Sequence, residues 1–286
     1  VILAASGGGS RGTMTEDCRQ ALASASCIIG APRLLEGLGE DYTKNRVAAT
    51  RPQMILEAIR AQGDGCVVLY SGDTGFYSGT RSLIPLLENE GISYHVFPGI
   101  SSVQLLSSLL GRPWQDWLLC SAHGVDCNPV GAVMQGKPVF FLTGGELGPA
   151  ELCRRLTEVG LHDLPVVVGE NLSYPGQRVF RGTAGEFAKE KFESLSVLLA
   201  EPAPAVTRRM PGFPDSLFTR GEVPMTKQEV RAAILAKLSP DPDDILWDVG
   251  AGTGSVSIEL ALAASMGRTY AVECNEKACE LIRINR

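Results

Sequence analysis

Short apolar runs alternate with amphipathic stretches along most of the chain. Each run of four or five apolar, often β-branched residues predicts a buried strand. The predicted strands lie at 1–5, 26–30, 66–70, 94–97, 117–120, 138–142, 165–168, 177–181 and 195–199. Helical patterns fall between them at 15–25, from 32, and at 52–61, 80–90, 103–110 and 149–159. Alternation of strand and helix predicts an α/β fold that becomes richer in strands towards residue 200.

The pattern breaks off after residue 200 and then starts again. Residues 201–224 contain five prolines and little periodicity, which is typical of a linker. A capping box at 226–229 then predicts a helix with Val230, Ile234 and Leu238 on its buried face. A strand at 244–249, a helix at 255–264 and a strand at 270–272 follow. We therefore expect a first domain at 1–200, a linker at 201–224 and a second domain at 225–286.

Glycine-rich turns follow several of the predicted strands. The turn Ser71–Ser78 contains Gly72, Asp73 and Gly75, and a second turn contains Gly7, Gly8 and Gly9. Such turns place bare backbone at the carboxyl edge of a sheet, where open α/β sheets bind ligands. An ordinary surface turn is the alternative for the first, and a flexible linker for the second.

Other strand ends carry small polar residues. Ser101 and Ser102 follow one strand, although either could serve only as a helix N-cap. Thr143 and the turn from Gly169 to Asn171 follow two others. His123 comes after a fourth, where a lone loop histidine is more often a bystander than a catalyst. These positions predict a shared binding site at the sheet edge.

The second domain has its own glycine motif. Gly250, Gly252 and Gly254 follow a strand with the spacing G-x-G-x-G, and Glu273 ends the next strand. An acidic residue there can chelate a ribose diol. The spacing differs from the dinucleotide fingerprint G-x-G-x-x-G, so it favours S-adenosylmethionine (SAM) over NAD. A purely structural strand–turn–helix is the alternative.

Charge and composition restrict the classes of partner. The formal net charge of −6 argues against nucleic acid, and no apolar run approaches the roughly 20 residues that span a bilayer. Eight cysteines without a CxxC pair indicate reduced thiols in a cytoplasmic protein. The first residues lack the basic flank and length of a signal peptide. Since there is no initiator Met, we expect residues before Val1.

Several motifs together resemble the fused CbiE–CbiT methyltransferases of cobalamin biosynthesis, also called CobL. Residues 1–200 resemble the tetrapyrrole methylase family (CbiE branch) in the first glycine loop with Met14-Thr15, in SGDTGFYS and PGISS, in Leu142-Thr143-Gly144, and in GENLS at 169–173. Residues 225–286 resemble the start of CbiT through PMTKQEVR and DVGAGTGS. Diphthine synthase, which shares the methylase fold, is less well supported.

The resemblance implies a fold and an activity. The fold would be a tetrapyrrole methylase fold, two α/β subdomains with a cleft between them, followed by an incomplete Rossmann-like class I methyltransferase segment. The activity would be precorrin C5,15-methylation with decarboxylation, on a precorrin or cobalt-precorrin, by a cytoplasmic homodimer that uses SAM and no metal. We expect the second half, about 60 residues long, to be inactive alone. The first loop departs from the family's usual Gly-Pro-Gly, which loosens it.

The resemblance also implies roles for particular residues. Glu170 and His123 are the candidates for acid–base work. The candidate cofactor-binding residues are Gly7, Gly9, Gly72, Asp73, Phe76, Ser101, Ser102, Thr143 and Asn171 in the first half, and Gly250, Gly252, Gly254 and Glu273 in the second. Arginines near the cleft would neutralise the carboxylates of the macrocycle, and Arg11, Arg81, Arg112 and Arg178 are guesses.

Two rival classes remain open at this point. A non-catalytic module that binds SAM or a tetrapyrrole would have the same turns but would transfer no methyl group. A nucleotide-dependent oxidoreductase would also use a doubly wound sheet, although the glycine spacing disfavours it. Titration with NAD and with S-adenosylhomocysteine would separate these classes.

Overall fold

A computed structural model describes residues 1–43, 45–124, 127–203 and 211–286. Its first unit is a five-stranded, all-parallel sheet in the order β3-β2-β4-β1-β5. The strands are β1 (Ile2–Ala5), β2 (Cys27–Gly30), β3 (Arg46–Ala48), β4 (Cys66–Tyr70) and β5 (His95–Phe97). The helices are α1 (Glu16–Ser24), α2 (Pro32–Glu36), α3 (Pro52–Gln62) and α4 (Thr80–Asn89), with a 3-10 turn at Arg11–Thr13.

Helices cover both faces of this sheet, because its strands are apolar on both faces. Leu3 packs with the residues of α3 and α4, whereas its neighbour Ala4 packs with those of α1 and α2. Parallel strands end at the same edge. The turns that follow β1, β4 and β5 are therefore brought together there.

The second unit is a mixed sheet in the order β6-β7-β10-β8-β9. Helix α5 (Ser102–Leu110) leads into β6 (Leu118–His123), α6 (Pro129–Val133), β7 (Val139–Gly144), α7 (Pro149–Thr157), β8 (Pro165–Glu170), β9 (Arg178–Thr183), α8 (Ala184–Phe187) and β10 (Ser196–Ala200). Strands β6 and β7 are parallel, and the remaining pairs are antiparallel. The last strand, β10, lies at the centre of the sheet and is buried along its whole length. Two α/β units with a cleft between them confirm the predicted fold class.

The second half contains α9 (Gln228–Leu238), β11 (Ile245–Val249), α10 (Ser255–Ala263), β12 (Arg268–Val272) and α11 (Glu276–Asn285), with β11 and β12 paired in parallel. The predicted capping box is wrong, because Lys227 is the N-cap and its side chain makes no capping bond. The predicted buried face is also wrong: α9 buries Arg231 and Leu235. Val230 and Leu238 are instead exposed.

The sheet of β11 and β12 leaves apolar side chains exposed on one face. Ile245, Trp247 and Val249 keep 65–77% of their surface accessible. Trp247 stacks on Tyr270 of the neighbouring strand, with ring centroids 4.7 Å apart. Helix α10 contacts both strands. No helix in the described ranges is long and apolar enough to cross a bilayer.

A buried ion-pair network holds the start of the second half. Arg231 is fully buried, with its Nε 2.8 Å from Glu259 Oε1 and its Nη1 2.8 Å from Asp215 Oδ1. Glu259 also accepts hydrogen bonds from the backbone amides of Gly212 and Phe213. Residues 211–224 of the proline-rich segment thus contact α9 and α10 through this network. Residues 204–210 of the segment lie outside the described ranges.

Candidate active site

A cavity of about 280 Å³ lies where the strand ends of the first two units meet. It is lined by Gly7, Gly8, Arg33, Ser71, Gly72, Phe76 and Tyr77 of the first unit, and by Ser101, Ser102, Leu105, His123, Leu142, Thr143, Gly169, Leu172, Tyr174, Ser194, Leu195, Ser196 and Val197 of the elements that follow. Seven of the candidate catalytic and cofactor-binding residues are among these, namely Gly7, Gly72, Phe76, Ser101, Ser102, His123 and Thr143. Residues far apart in the chain thus converge on one cavity.

The first two glycine turns are joined through their backbones. Gly7 N donates to Gly72 O at 3.1 Å, and Gly72 N donates back to Gly7 O at 2.8 Å. Both residues have positive φ, and a Cβ at Gly7 would lie 2.2 Å from the Thr13 carbonyl oxygen. Only glycine meets both requirements without strain at position 7.

Asp73 does not line the cavity but ties together two loops beside it. Its Oδ1 accepts a hydrogen bond from Gly75 N at 2.8 Å, and its Oδ2 accepts one from Gly99 N at 2.9 Å. The carboxylate therefore connects the turn after β4 to the turn after β5. Both oxygens stabilise the edge from which Gly72 and Ser101 face the cavity.

The N-terminus of α5 opens onto the cavity. Ser101 is the N-cap and is buried, and its backbone N donates to Gln104 Oε1 at 2.6 Å. The hydroxyl of Ser102, the first residue of the helix, is buried without a hydrogen-bond partner. A buried hydroxyl left unsatisfied is costly, so this group is suited to a ligand.

Aromatic residues form an apolar side of the cavity. The ring of Phe76 contacts that of Tyr77 edge-on at 4.8 Å and lies 6.2 Å from that of Phe140. The Tyr77 hydroxyl donates to the Leu119 carbonyl oxygen at 2.8 Å. Burial raises the pKa of the Tyr77 phenol. Tyr77 therefore stays protonated and connects the two units.

The glycine loop after β1 packs directly against the segment after β8. A Cβ at Gly8 would lie 2.5 Å from Ser173 Oγ, and a Cβ at Gly9 would lie 1.7 Å from the Tyr174 hydroxyl oxygen. From the sequence, the backbone of these glycines was expected to contact a ligand. In the structure Gly8 contacts the cavity as well, whereas Gly9 does not line it and allows the two units to approach each other.

Arg33 and Tyr174 also line the cavity, and neither was predicted from the sequence as a site residue. Arg33 Nη1 donates to the Tyr174 hydroxyl oxygen at 2.7 Å, and Nη2 lies 3.5 Å from Ser71 Oγ. The local signal for each was its place after a predicted element: Arg33 follows β2, and Tyr174 follows the GENLS motif. Their contact could not be predicted, because they are 141 positions apart in the sequence.

The two acid–base candidates have different environments. His123 lines the cavity, and its Nδ1 lies 3.3 Å from the Thr143 carbonyl oxygen. Glu170 is buried but does not line the cavity. Its Oε1 accepts a hydrogen bond from Glu193 N at 2.7 Å, and its Oε2 lies 2.8 Å from the Arg178 guanidinium. His123 therefore reaches the cavity directly, and Glu170 does not.

Asn171 and Thr143, two further predicted positions, are each hydrogen-bonded to a backbone carbonyl oxygen near the start of β10. Asn171 has a φ of +47° and donates its backbone N to Leu195 O at 2.9 Å, so it shapes the turn between the cavity residues Gly169 and Leu172. The Thr143 hydroxyl donates to the Ser196 carbonyl oxygen at 2.6 Å. Thr143 lies within β7 rather than in the turn after it.

The glycine motif of the second half lies apart from this cavity. Gly250, Gly252 and Gly254 all have positive φ. Glu273 Oε2 accepts a hydrogen bond from Gly252 N at 2.8 Å, and its Oε1 accepts bonds from Cys274 N and Asn275 N. These backbone amides, chiefly that of Asn275, hold the pKa of Glu273 below its ordinary value. Glu273 thus closes the turn with its own carboxylate.

Comparisons with known proteins match the two halves of the chain to two different sequence families. The sequence model of the tetrapyrrole (corrin/porphyrin) methylases matches residues 1–188, and that of the precorrin methyltransferase domain matches residues 216–286. A precorrin-6Y C(5,15)-methyltransferase (decarboxylating) of Sinorhizobium is 30% identical over 94% of the chain. The chain spans 66% of that relative's length.

Two further comparisons concern the halves separately. A probable cobalt-precorrin-6B C(15)-methyltransferase of Saccharolobus solfataricus is 46% identical over 27% of the chain and 39% of its own length. The uroporphyrin-III C-methyltransferase of Thermus thermophilus, solved with S-adenosylhomocysteine, superposes with a TM-score of 0.57 at 19% identity, over 70% of this chain and 96% of its own. That likeness supports the two-unit fold. With a family match over residues 1–188, the chain belongs to the tetrapyrrole methylases.

Proposed function

We propose that the first half is a SAM-dependent C-methyltransferase that acts on C5 of a late precorrin or cobalt-precorrin in cobalamin biosynthesis. The observation that carries this proposal is the single cavity on which the glycine and serine turns and the strand residue Thr143 converge from both units. The activity for which the Sinorhizobium relative is named, methylation at C5 and C15 with decarboxylation, supports the choice of reaction. The second half, similar to C15-methyltransferases, would serve the other methylation.

The residues of the cavity fit SAM. Gly7, Gly72 and Ser101 line the cavity with small residues that leave room for a ligand, and the buried Ser102 hydroxyl has no hydrogen-bond partner within the described residues. Phe76 provides an apolar surface on which an adenine or a methionine chain can pack. Asp73 and Asn171 then act on the cofactor through the loops that they hold.

Bound SAM supplies a methyl group activated by the sulfonium. The chain's own residues have to align the acceptor carbon and exclude water, because displacement at carbon depends on in-line geometry. Leu105, Leu142 and Leu172 provide apolar walls for that purpose. His123 is the group positioned to accept a proton from the methylated carbon, since it lines the cavity and Glu170 does not.

The experiment combines binding and product analysis. S-adenosylhomocysteine and NAD are titrated by calorimetry, and the product formed with SAM and a late precorrin is analysed by mass spectrometry. We expect binding of S-adenosylhomocysteine, no response to NAD, and a mass gain of one methyl group. Ligand binding without a mass gain would favour the non-catalytic module, and NAD binding alone would favour the oxidoreductase.

A matched pair of variants tests whether the cavity is the site of that binding. Ser102→Ala removes the unpartnered hydroxyl, and Ser108→Ala changes an exposed serine on the same helix. We expect S-adenosylhomocysteine to bind more weakly to the first variant only. Equal affinities would place the cofactor elsewhere.

The proposal extends to the state of the protein in the cell. Cys18, Cys27, Cys66 and Cys153 are buried free thiols, which supports a reducing cytoplasm. The homodimer rests on the family resemblance alone. Light scattering of the purified protein measures its mass in solution, and a monomer would contradict that part of the proposal.

A further inference from the structure

We propose that Arg33, Ser71 and Tyr174 form a carboxylate-binding site on the wall of the cavity. The inference rests on the proposed function, whose two ligands both carry carboxylates: SAM on its methionine part, and the macrocycle around its rim. It names the group that would hold one of these carboxylates.

The first argument is charge. Of the described residues that line the cavity, Arg33 is the single arginine or lysine, and none is an aspartate or glutamate. Three of the arginines guessed from the sequence are paired within the chain: Arg11 with Asp41, Arg112 with Glu201, and Arg178 with Glu170. Arg33 makes its described hydrogen bonds to neutral hydroxyls instead. Its positive charge is therefore available to an anionic ligand.

The second argument is the supply of donors. A guanidinium has five N–H groups, and Arg33 uses one on the Tyr174 hydroxyl oxygen and one on Ser71 Oγ. Both hydroxyl oxygens act as acceptors in these contacts, so each keeps its own proton for another acceptor. A carboxylate accepts but does not donate, and it suits a planar fork flanked by two hydroxyl donors.

The third argument is position. Arg33 belongs to α2 of the first unit, and Tyr174 follows β8 of the second, so their 2.7 Å contact crosses the cleft. Gly9 lies against the Tyr174 ring and leaves it no room on that side. A carboxylate bound here would contact both units at once.

The test compares Arg33→Gln, Arg33→Lys and a control, Arg60→Gln. Arg60 is exposed in the last turn of α3 and does not line the cavity. S-adenosylhomocysteine binding is measured by calorimetry, and macrocycle binding by the change in its absorbance, so neither readout needs turnover. Unfolding midpoints show whether each variant folds like the unaltered protein.

We expect Arg33→Gln to lower the affinity for one of the two ligands about tenfold or more, because the hydrogen-bonded pair of guanidinium and carboxylate is lost. Arg33→Lys should restore part of the affinity, since it keeps the charge but not the fork. Weaker macrocycle binding assigns the site to the substrate's rim, and weaker S-adenosylhomocysteine binding assigns it to the cofactor. Affinities equal to those of Arg60→Gln for both ligands would overturn the inference.

The outcomes separate this inference from the proposed function. If the unaltered protein transfers a methyl group and Arg33→Gln binds both ligands normally, the inference fails and the function stands. If the unaltered protein binds neither ligand, both fail. Tyr174→Phe tests the same site with a smaller expected effect. It should lower the affinity a few-fold for the ligand that Arg33→Gln affects.

Discussion

The glycine-rich turns of the two halves are held in different ways. In the first half, Gly7 and Gly72 hold each other through two backbone hydrogen bonds, above sheets with large apolar cores. The Asp73 carboxylate supports the turns beside that bridge. In the second half, the Glu273 carboxylate itself holds the Gly252 amide. Similar sequence signals thus lead to a backbone bridge with a carboxylate beside it in one half, and to a direct carboxylate contact in the other.

The difference follows from the amount of apolar surface that each half buries. The second half buries few apolar side chains, and half of these are alanines: Leu235, Ala251, Leu260, Ala264, Ala278 and Leu281. It buries the Arg231–Glu259 pair as well. We therefore expect hydrogen-bonded charges to specify the backbone arrangement more strongly in the second half than in the first.

Arg231→Met should disrupt the second half most strongly. The substitution leaves the Glu259 carboxylate buried without its cation, and breaking a buried pair in this way costs about 3–5 kcal/mol. Faster hydrogen exchange of α9 and α10 would show the loss. Arg283→Met, at an exposed position of α11, is the control. Equal exchange in the two variants would contradict the prediction, and Arg231→Met with Glu259→Gln should recover part of the protection.

Asp73→Ala should produce the next largest effect, in the first half. It removes the hydrogen bonds that the carboxylate accepts from Gly75 N and Gly99 N; because Asp73 is only half-buried, we expect a loss of about 1.5–3 kcal/mol for the two bonds together. We expect a lower free energy of unfolding in urea together with weaker binding of S-adenosylhomocysteine. Asp73→Asn, which keeps one acceptor oxygen, should lie between. Unchanged values for Asp73→Ala would show that the turn does not depend on this carboxylate.

Gly9→Ala should disturb the contact between the two units. Its φ is +101°, and the new methyl group would meet the Tyr174 hydroxyl. Displacing Tyr174 opens one side of the cavity. We expect S-adenosylhomocysteine to bind about tenfold more weakly, which is a loss of about 1.4 kcal/mol of binding free energy. Calorimetry measures this change. Gly12→Ala is the control, because a Cβ there meets no atom within 4 Å; if both variants bind equally, the close approach at Gly9 has no role.

Glu273→Gln should have the smallest effect, and it should depend on pH. The pKa of Glu273 is lower in the folded protein than the ordinary 4.5, so its contribution to stability is present above 4.5 and is lost as pH falls through the lowered pKa. We expect hydrogen exchange at 250–254 to become less dependent on pH in that range in the variant. Glu276→Gln, at an exposed neighbour, should leave the pH dependence unchanged. The same profile in all three proteins would contradict the prediction.

Most of the fold could be predicted, because buried strands are runs of apolar residues. The nine strands predicted for residues 1–200 are all present, with ends shifted by at most three residues. Strand β3 was missed, since three residues that include Arg46 give no periodic signal. Strands β6 and β7 were predicted too short, because pairing with each other carries polar residues such as Ser121 and Thr143 into the sheet.

The site was predictable only where its signals are local. Gly72 and Ser101 follow strands directly, and the edge of a parallel sheet collects such turns. The contact between Arg33 and Tyr174 joins residues 141 positions apart and has no local signal. The face of α9 was misjudged for a related reason. Arg231 is buried because Asp215 and Glu259 surround it, and neither lies within one helical turn of it.

The central place of β10 has a consequence for biosynthesis. Strands β7 and β8 are made earlier, yet each pairs with β10 and not with the other. While residues 196–200 remain in the ribosome, the second sheet has a gap along its middle and two unpaired apolar edges. Such a nascent chain is open to misassembly. The last strand of the first half is therefore the one whose arrival allows that half to finish folding.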